Sequence, residues 1–210
     1  MAKNKNKGQR QTAAQLLGQL AADARYRQQH EGRQRQRAIA EAMLAEDEET
    51  LVADLENAGV AVDSVWDLVN ADYAYADAIP VLLRHLQLRH HLRTREGIVR
   101  ALTVPEARGV AFPVLYEQFL ATSSAQEAEL KWLLGAALAE ATTSETASVV
   151  RQLLTDKDHG KAREMLVPAL QWLAPGERDD AIQALSGDPD IGKAIEALRS
   201  KLRGGRRGAT

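Results

Sequence analysis

The chain has 210 residues, 45% hydrophobic and 27% charged, with a formal net charge of −2, the profile of an ordinary globular protein long enough to bury a core. It contains no cysteine, which excludes disulfide frameworks, Cys-ligated zinc, iron–sulfur clusters and thiol nucleophiles. No charge-free apolar run approaches the roughly 18 residues of a spanning helix, and the basic opening from Met1 to Arg10 has no apolar signal core behind it. The expectation is therefore a cytoplasmic protein with no membrane partner.

The small net charge conceals a strong segregation. Residues 1–40 carry +7, residues 41–77 carry −11 with no Lys or Arg, and residues 84–100 turn basic again through Arg84, Arg89, Arg93, Arg95 and Arg100, with His85, His90 and His91 among them. The end is basic too: Arg199, Lys201, Arg203, Arg206 and Arg207 follow Glu196 with no further acid. Clustered cations of this kind attract phosphate or an acidic protein. The acidic block has a simple intramolecular use as well, in pairing with the basic N-terminal helix.

In chain order, residues 1–9 read as a disordered basic lead. Residues 10–58 read as a helical N-terminal extension: one or two amphipathic helices to Ala45 carry Leu16, Leu17, Leu20, Ile39, Met43 and Leu44, with Gly32 as the weak point. A short helix from Asp47 to Ala58 then opens on acids, which suits the macrodipole, and stops at Gly59. Asp63 caps the next turn or helix, which carries Val65, Trp66, Leu68 and Val69.

From about Tyr73 the chain repeats itself. The segments 79–86, 112–119, 147–154 and 181–186 align with Leu82, Leu115, Val150 and Ile182 as equivalent positions, at steps of 33, 35 and 32 residues. A second helical segment follows each, at 95–102, 129–138, 162–170 and 191–198, after a short polar turn. Ser123 with Gln126, and Thr142 with Glu145, have capping-box spacing. Pro80, Pro113 and Pro168 fall inside apolar segments and predict kinked first helices. No stretch alternates with period two, so no sheet is expected. Paired helices at this period cannot bury their apolar faces alone and stack into an array. The predicted fold is all-α: an α-α superhelix over 59–203, with a disordered basic tail at 204–210.

The residues resemble HEAT repeats, in particular the short HEAT-like repeats of phycobilin lyases. Leu153, Leu154, Asp156, Asp158, Arg163, Leu166 and Leu170 fit one copy. Leu185, Asp188, Pro189, Asp190, Lys193, Ala194, Ala197 and Leu198 fit another. The first two pairs lack the turn aspartates. Residues 65–108 are also similar to small stand-alone bacterial HEAT-like proteins. Trp66, Val69, Asn70 and Tyr73 resemble the opening of a tetratricopeptide unit, in one copy. The HEAT resemblance implies a superhelical fold and, by analogy, a role in protein interaction. It does not extend to the repeat hydroxylases that hold iron through serial His-Glu pairs, because His-Glu occurs once, at His30 and Glu31.

No catalytic motif is present: the chain has no glycine-rich phosphate loop, no Gly-x-Ser-x-Gly and no His-Glu-x-x-His. The expectation is a non-enzymatic adaptor with no cofactor and no metal. Its binding residues are Arg84, His85, Arg89, His90, His91, Arg93 and Arg95, which steer an acidic protein partner through charge-assisted bonds. Trp66, Tyr73 and Tyr75 form a second, aromatic candidate interface, while Trp132, Trp172, Phe112 and Phe119 are expected in the core. Nucleic acid held by the arginine patch and the basic termini is the alternative, a small-molecule lyase or chaperone the third, and self-association through unsealed repeat ends stays open.

Overall fold

The computed structural model describes residues 12–14 and 24–207, which contain helices and no strand. The expected lead at 1–9, the apolar positions Leu16, Leu17 and Leu20, and residues 208–210 lie outside the described residues. The chain divides into two compact units, 1–46 and 47–210. The division falls inside a helix.

That helix, α1 (Ala24–Asn57), runs unbroken for 34 residues where the sequence suggests separate pieces. Gly32 costs an interior helix about 1 kcal/mol, but its neighbours are Glu, Arg and Gln, all good helix formers, and no proline interrupts them. The helix therefore propagates through it. In the first unit α1 is exposed on every side from Gln28 to Met43. Its C-terminus is closed by Gly59 at φ 84°: the Gly59 N–H donates to Glu56 O and the Val60 N–H to Leu55 O, both at 2.9 Å. This is a Schellman closure, with Val60 and Leu55 both in the core.

In the second unit the C-terminal part of α1 is followed by α2 (Val65–Val69). Ser64, rather than Asp63, is its cap. Ser64 Oγ accepts from Trp66 N–H, while Asp67 Oδ2 accepts from the N–H groups of Asp63 and Ser64. Buried Glu48 of α1 completes the end, its Oε2 accepting from Ser64 Oγ at 2.7 Å and from Val65 N–H at 3.1 Å.

Four helical pairs follow at the expected places: α3 (Ile79–Leu86) with α4 (Leu92–Ala101), α5 (Phe112–Ala121) with α6 (Ala128–Ala141), α7 (Ala147–Thr155) with the 3₁₀-wound segment Lys157–Trp172, and α8 (Pro175–Leu185) with α9 (Gly192–Arg207). Partners pack within each pair, and the second members pack on one another in succession: α4 on α6, α6 on Lys157–Trp172, and that segment on α9. A continuous core runs between them, through Leu82, Ile98, Leu115, Leu134, Val150, Leu166, Ile182 and Ile195.

None of the three prolines kinks a first helix. Pro80 and Pro113 lie in the first turns of α3 and α5, where the N–H that proline lacks has no intrahelical partner anyway. They start helices instead of bending them. Pro168 lies inside the second member of its pair, the Lys157–Trp172 segment, whose one break in helical backbone is at Gly160, φ 56°, and not at the proline. Thr142 does not open a helix; its hydroxyl turns back to Leu138 O at 2.7 Å and ends α6. Helix α9 continues past Arg203 into the stretch expected to be a disordered tail.

Two glycines set the closest approaches. A Cβ on Gly97 would stand 2.6 Å from Val65 Cγ1, which brings α4 against α2; one on Gly135 would stand 2.9 Å from Ala162 O, which brings α6 against the 3₁₀ segment.

Candidate functional site

The basic cluster at 84–95 has its acidic partners in the C-terminal part of α1, within the second unit. Asp54 Oδ2 accepts from Arg84 Nη2 at 2.6 Å and lies 2.9 Å from His85 Nε2. His85 Nδ1 lies 3.0 Å from His90 Nε2, and His90 Nδ1 lies 3.3 Å from Asp47 Oδ2. The result is a chain, Asp54–His85–His90–Asp47, in which both imidazoles are almost wholly shielded from solvent. The two carboxylates of Asp47 and Asp54 are two helical turns apart on one face of α1, flanking buried Leu51.

Every contact of this chain has an imidazole nitrogen on at least one side, and which nitrogen donates depends on the tautomer. The hydrogen bond from His85, then that from Arg84, holds the Asp54 carboxyl below its ordinary range. At Asp47 burial pushes the carboxyl up, but the neighbouring Thr94 hydroxyl, the His91 N–H and His90 together outweigh it, and the net shift is downward. The His91 N–H donates to Asp47 at 3.0 Å, and His91 Nδ1 caps α4 by accepting from Arg93 N–H at 3.1 Å. Among the described residues no group of three or more His, Asp or Glu is arranged to hold a metal ion.

The remaining arginines divide. Arg93 lies over the Trp66 ring at 3.6 Å and pairs with Glu96 at 3.1 Å. Arg95 reaches across to Glu127 and Gln118, each at 3.2 Å. Arg84, Arg93 and Arg95 are thus occupied within the fold, and His85 and His90 are interior. Arg89 alone of the proposed arginines is exposed and without an ion pair among the described residues. It stands in the turn between α3 and α4, with Leu88 and Leu92 exposed on either side of it.

The aromatic candidates also separate. Tyr75 is only 7% exposed and its hydroxyl donates to Ala101 O at 3.0 Å, so it ties the core and is not an interface residue. Trp66 is half-buried beneath Arg93. Tyr73 is 52% exposed and remains available. Trp132, expected in the core, is 40% exposed, because the inward face of α6 is taken by Leu130, Leu133, Leu134 and Ala137.

Beside Trp132 lies a cavity of about 400 Å³ lined in part by Ser124, Lys131, His159 and Lys161. Lys131 is buried and its Nζ donates to Thr122 O at 2.8 Å; burial pushes its pKa down. Burial, reinforced by Lys131, does the same to His159, whose ring meets Phe119 edge-on at 4.9 Å. The amine serves as a helix C-cap, with its charge on the carbonyl end of α5.

The sequence reading missed Asp47 and Asp54, the groups that organise the cluster. Their seven-residue spacing around Leu51 and Leu55 was the available signal, since it places two acids on a core-facing stripe. No family model, curated protein or solved structure matches the chain.

Proposed function

We propose that the protein is a non-enzymatic, HEAT-like helical-repeat adaptor, and that its α3–α4 turn is the surface that receives a protein partner. One observation carries this reading: Arg89 stands exposed, with no ion pair among the described residues, between exposed Leu88 and Leu92, on a turn held from beneath by the bonds of His90 and His91 to Asp47. Arginine is among the residues enriched at interface hot spots, and on a backbone already ordered little conformational entropy is lost on binding. The free cation favours an acidic patch on the partner. The other arginines position this turn.

Capture from cell extract at physiological salt, on wild type and on Leu88→Asp/Arg89→Glu/Leu92→Asp, tests it. The expected result is one protein retained by wild type with or without nuclease and lost by the variant, at unchanged circular dichroism. Equal retention by both overturns the reading, and loss on nuclease treatment alone moves it to nucleic acid.

A further inference from the structure

We propose that the first unit carries a self-association face and that two copies of the chain pair through it, antiparallel, along the N-terminal part of α1. The face is the stripe Arg35, Ile39, Met43 and Glu46. These positions lie within about 80° of arc and span about 16 Å of helix. All four are exposed, Ile39 by 56% and Met43 by 60%. Among the described residues neither Arg35 nor Glu46 forms an ion pair.

The order along the stripe identifies the occupant. Read from either end it is a charge, two apolar side chains and the opposite charge. A twofold axis between Ile39 and Met43 lays Arg35 of one copy on Glu46 of the other, twice, and sets Ile39 against Met43, twice. The contact is isologous and closes at two copies. A parallel pair would instead oppose Arg35 to Arg35 and Glu46 to Glu46. Ala38 and Ala42 border the stripe along one side, with Gly32 one turn before it, and these small residues let two helices approach. Antiparallel macrodipoles add to the preference. Four side chains per copy is a small interface, so the dimer is expected at about 10–500 μM protein and to weaken with salt.

Sedimentation velocity on the full chain tests this with two charge variants, Arg35→Glu and Glu46→Arg. Each alone sets like charges together across the axis and is expected to weaken the dimer by at least about tenfold. Mixed one to one, they restore both opposite-charge contacts, and a heterodimer at wild-type affinity is expected. Both changes are on exposed side chains, and circular dichroism checks that the helix is retained. A wild type monomeric to about 1 mM overturns the proposal. So does a dimer that survives Ile39→Asp/Met43→Asp, or a mixture that stays monomeric. A photo-crosslinker at residue 43 that yields adducts only to other proteins overturns the second copy as occupant.

Discussion

Lys131 and Arg163 do the same work one repeat apart. Each reaches back nine residues to the carbonyl end of the helix before it, Lys131 Nζ to Thr122 O at 2.8 Å and Arg163 Nη1 to Leu154 O at 3.0 Å. Arg163 goes further: its second edge reaches Asp188 and Asp190 of the following turn. Asp156 and Asp158 stand at the matching distance in sequence from Lys131, whose single amine makes no hydrogen bond to either.

This difference predicts unequal costs for one chemical change. Asp188→Asn keeps the oxygen that accepts from Asp190 N–H and removes the charge facing Arg163, which is 1% exposed. It is expected to cost about 2 kcal/mol. Asp156→Asn keeps the equivalent bond to Asp158 N–H and is expected to cost under about 0.5 kcal/mol. Urea denaturation of the two variants checks the order.

Acid should loosen the second unit through three of its carboxylates. Asp54, Asp47 and Asp188 all titrate lower in the folded chain than their ordinary 3.8. Their stabilisation is therefore complete above that value and is lost as pH falls below it toward the folded values. Melting temperatures from pH 7 to pH 2 are expected to fall gently below about pH 6.5, where the unfolded chain protonates His159 before the folded one does, and to drop further below about pH 4, with a shallower lower drop in Asp54→Asn than in wild type. An equal drop in both would remove Asp54 from this role.

Gly135→Ala should destabilise even though alanine is the better helix former by about 1 kcal/mol. The new methyl meets Ala162 O at 2.9 Å and Met165 Cβ at 3.2 Å, and moving the 3₁₀ segment away loses packing worth about 1–3 kcal/mol. Gly176→Ala, with nothing within 4 Å, is the matched control and is expected to be neutral or stabilising by thermal melt.

The two tyrosines of the first repeat should respond differently to loss of the hydroxyl. Tyr75→Phe leaves the buried Ala101 carbonyl without this donor and is expected to cost about 1 kcal/mol. Tyr73→Phe is expected to be silent. Chemical denaturation distinguishes them.

Helix pairing was legible in the sequence because the apolar period and the polar turns between 79 and 198 report burial directly. Helix starts were less so. Pro80 and Pro113 read as kinks because the residue alone does not show whether it stands in a first turn or an interior, and the turns before them, Ala76–Ala78 and Pro105–Ala107, carry no strong cap. The candidate site was half legible. The cations of 84–95 were visible as a cluster, but which of them face solvent depends on Asp47 and Asp54, some thirty to forty residues away. The acids at 41–77 looked like partners for the basic N-terminus, whereas Asp47, Glu48 and Asp54 are bound to groups that lie later in the chain.

That direction has a consequence during synthesis. The ribosome releases α1 before any of Ser64, Arg84, His85, His90 or His91, so its anchoring carboxylates emerge hydrated and unpaired. Glu48 meets Ser64 and Val65 early, but Asp47 and Asp54 find their partners only when the α3–α4 turn has left the exit tunnel. A chain stalled before residue 84 therefore holds these two carboxylates without the groups they grip.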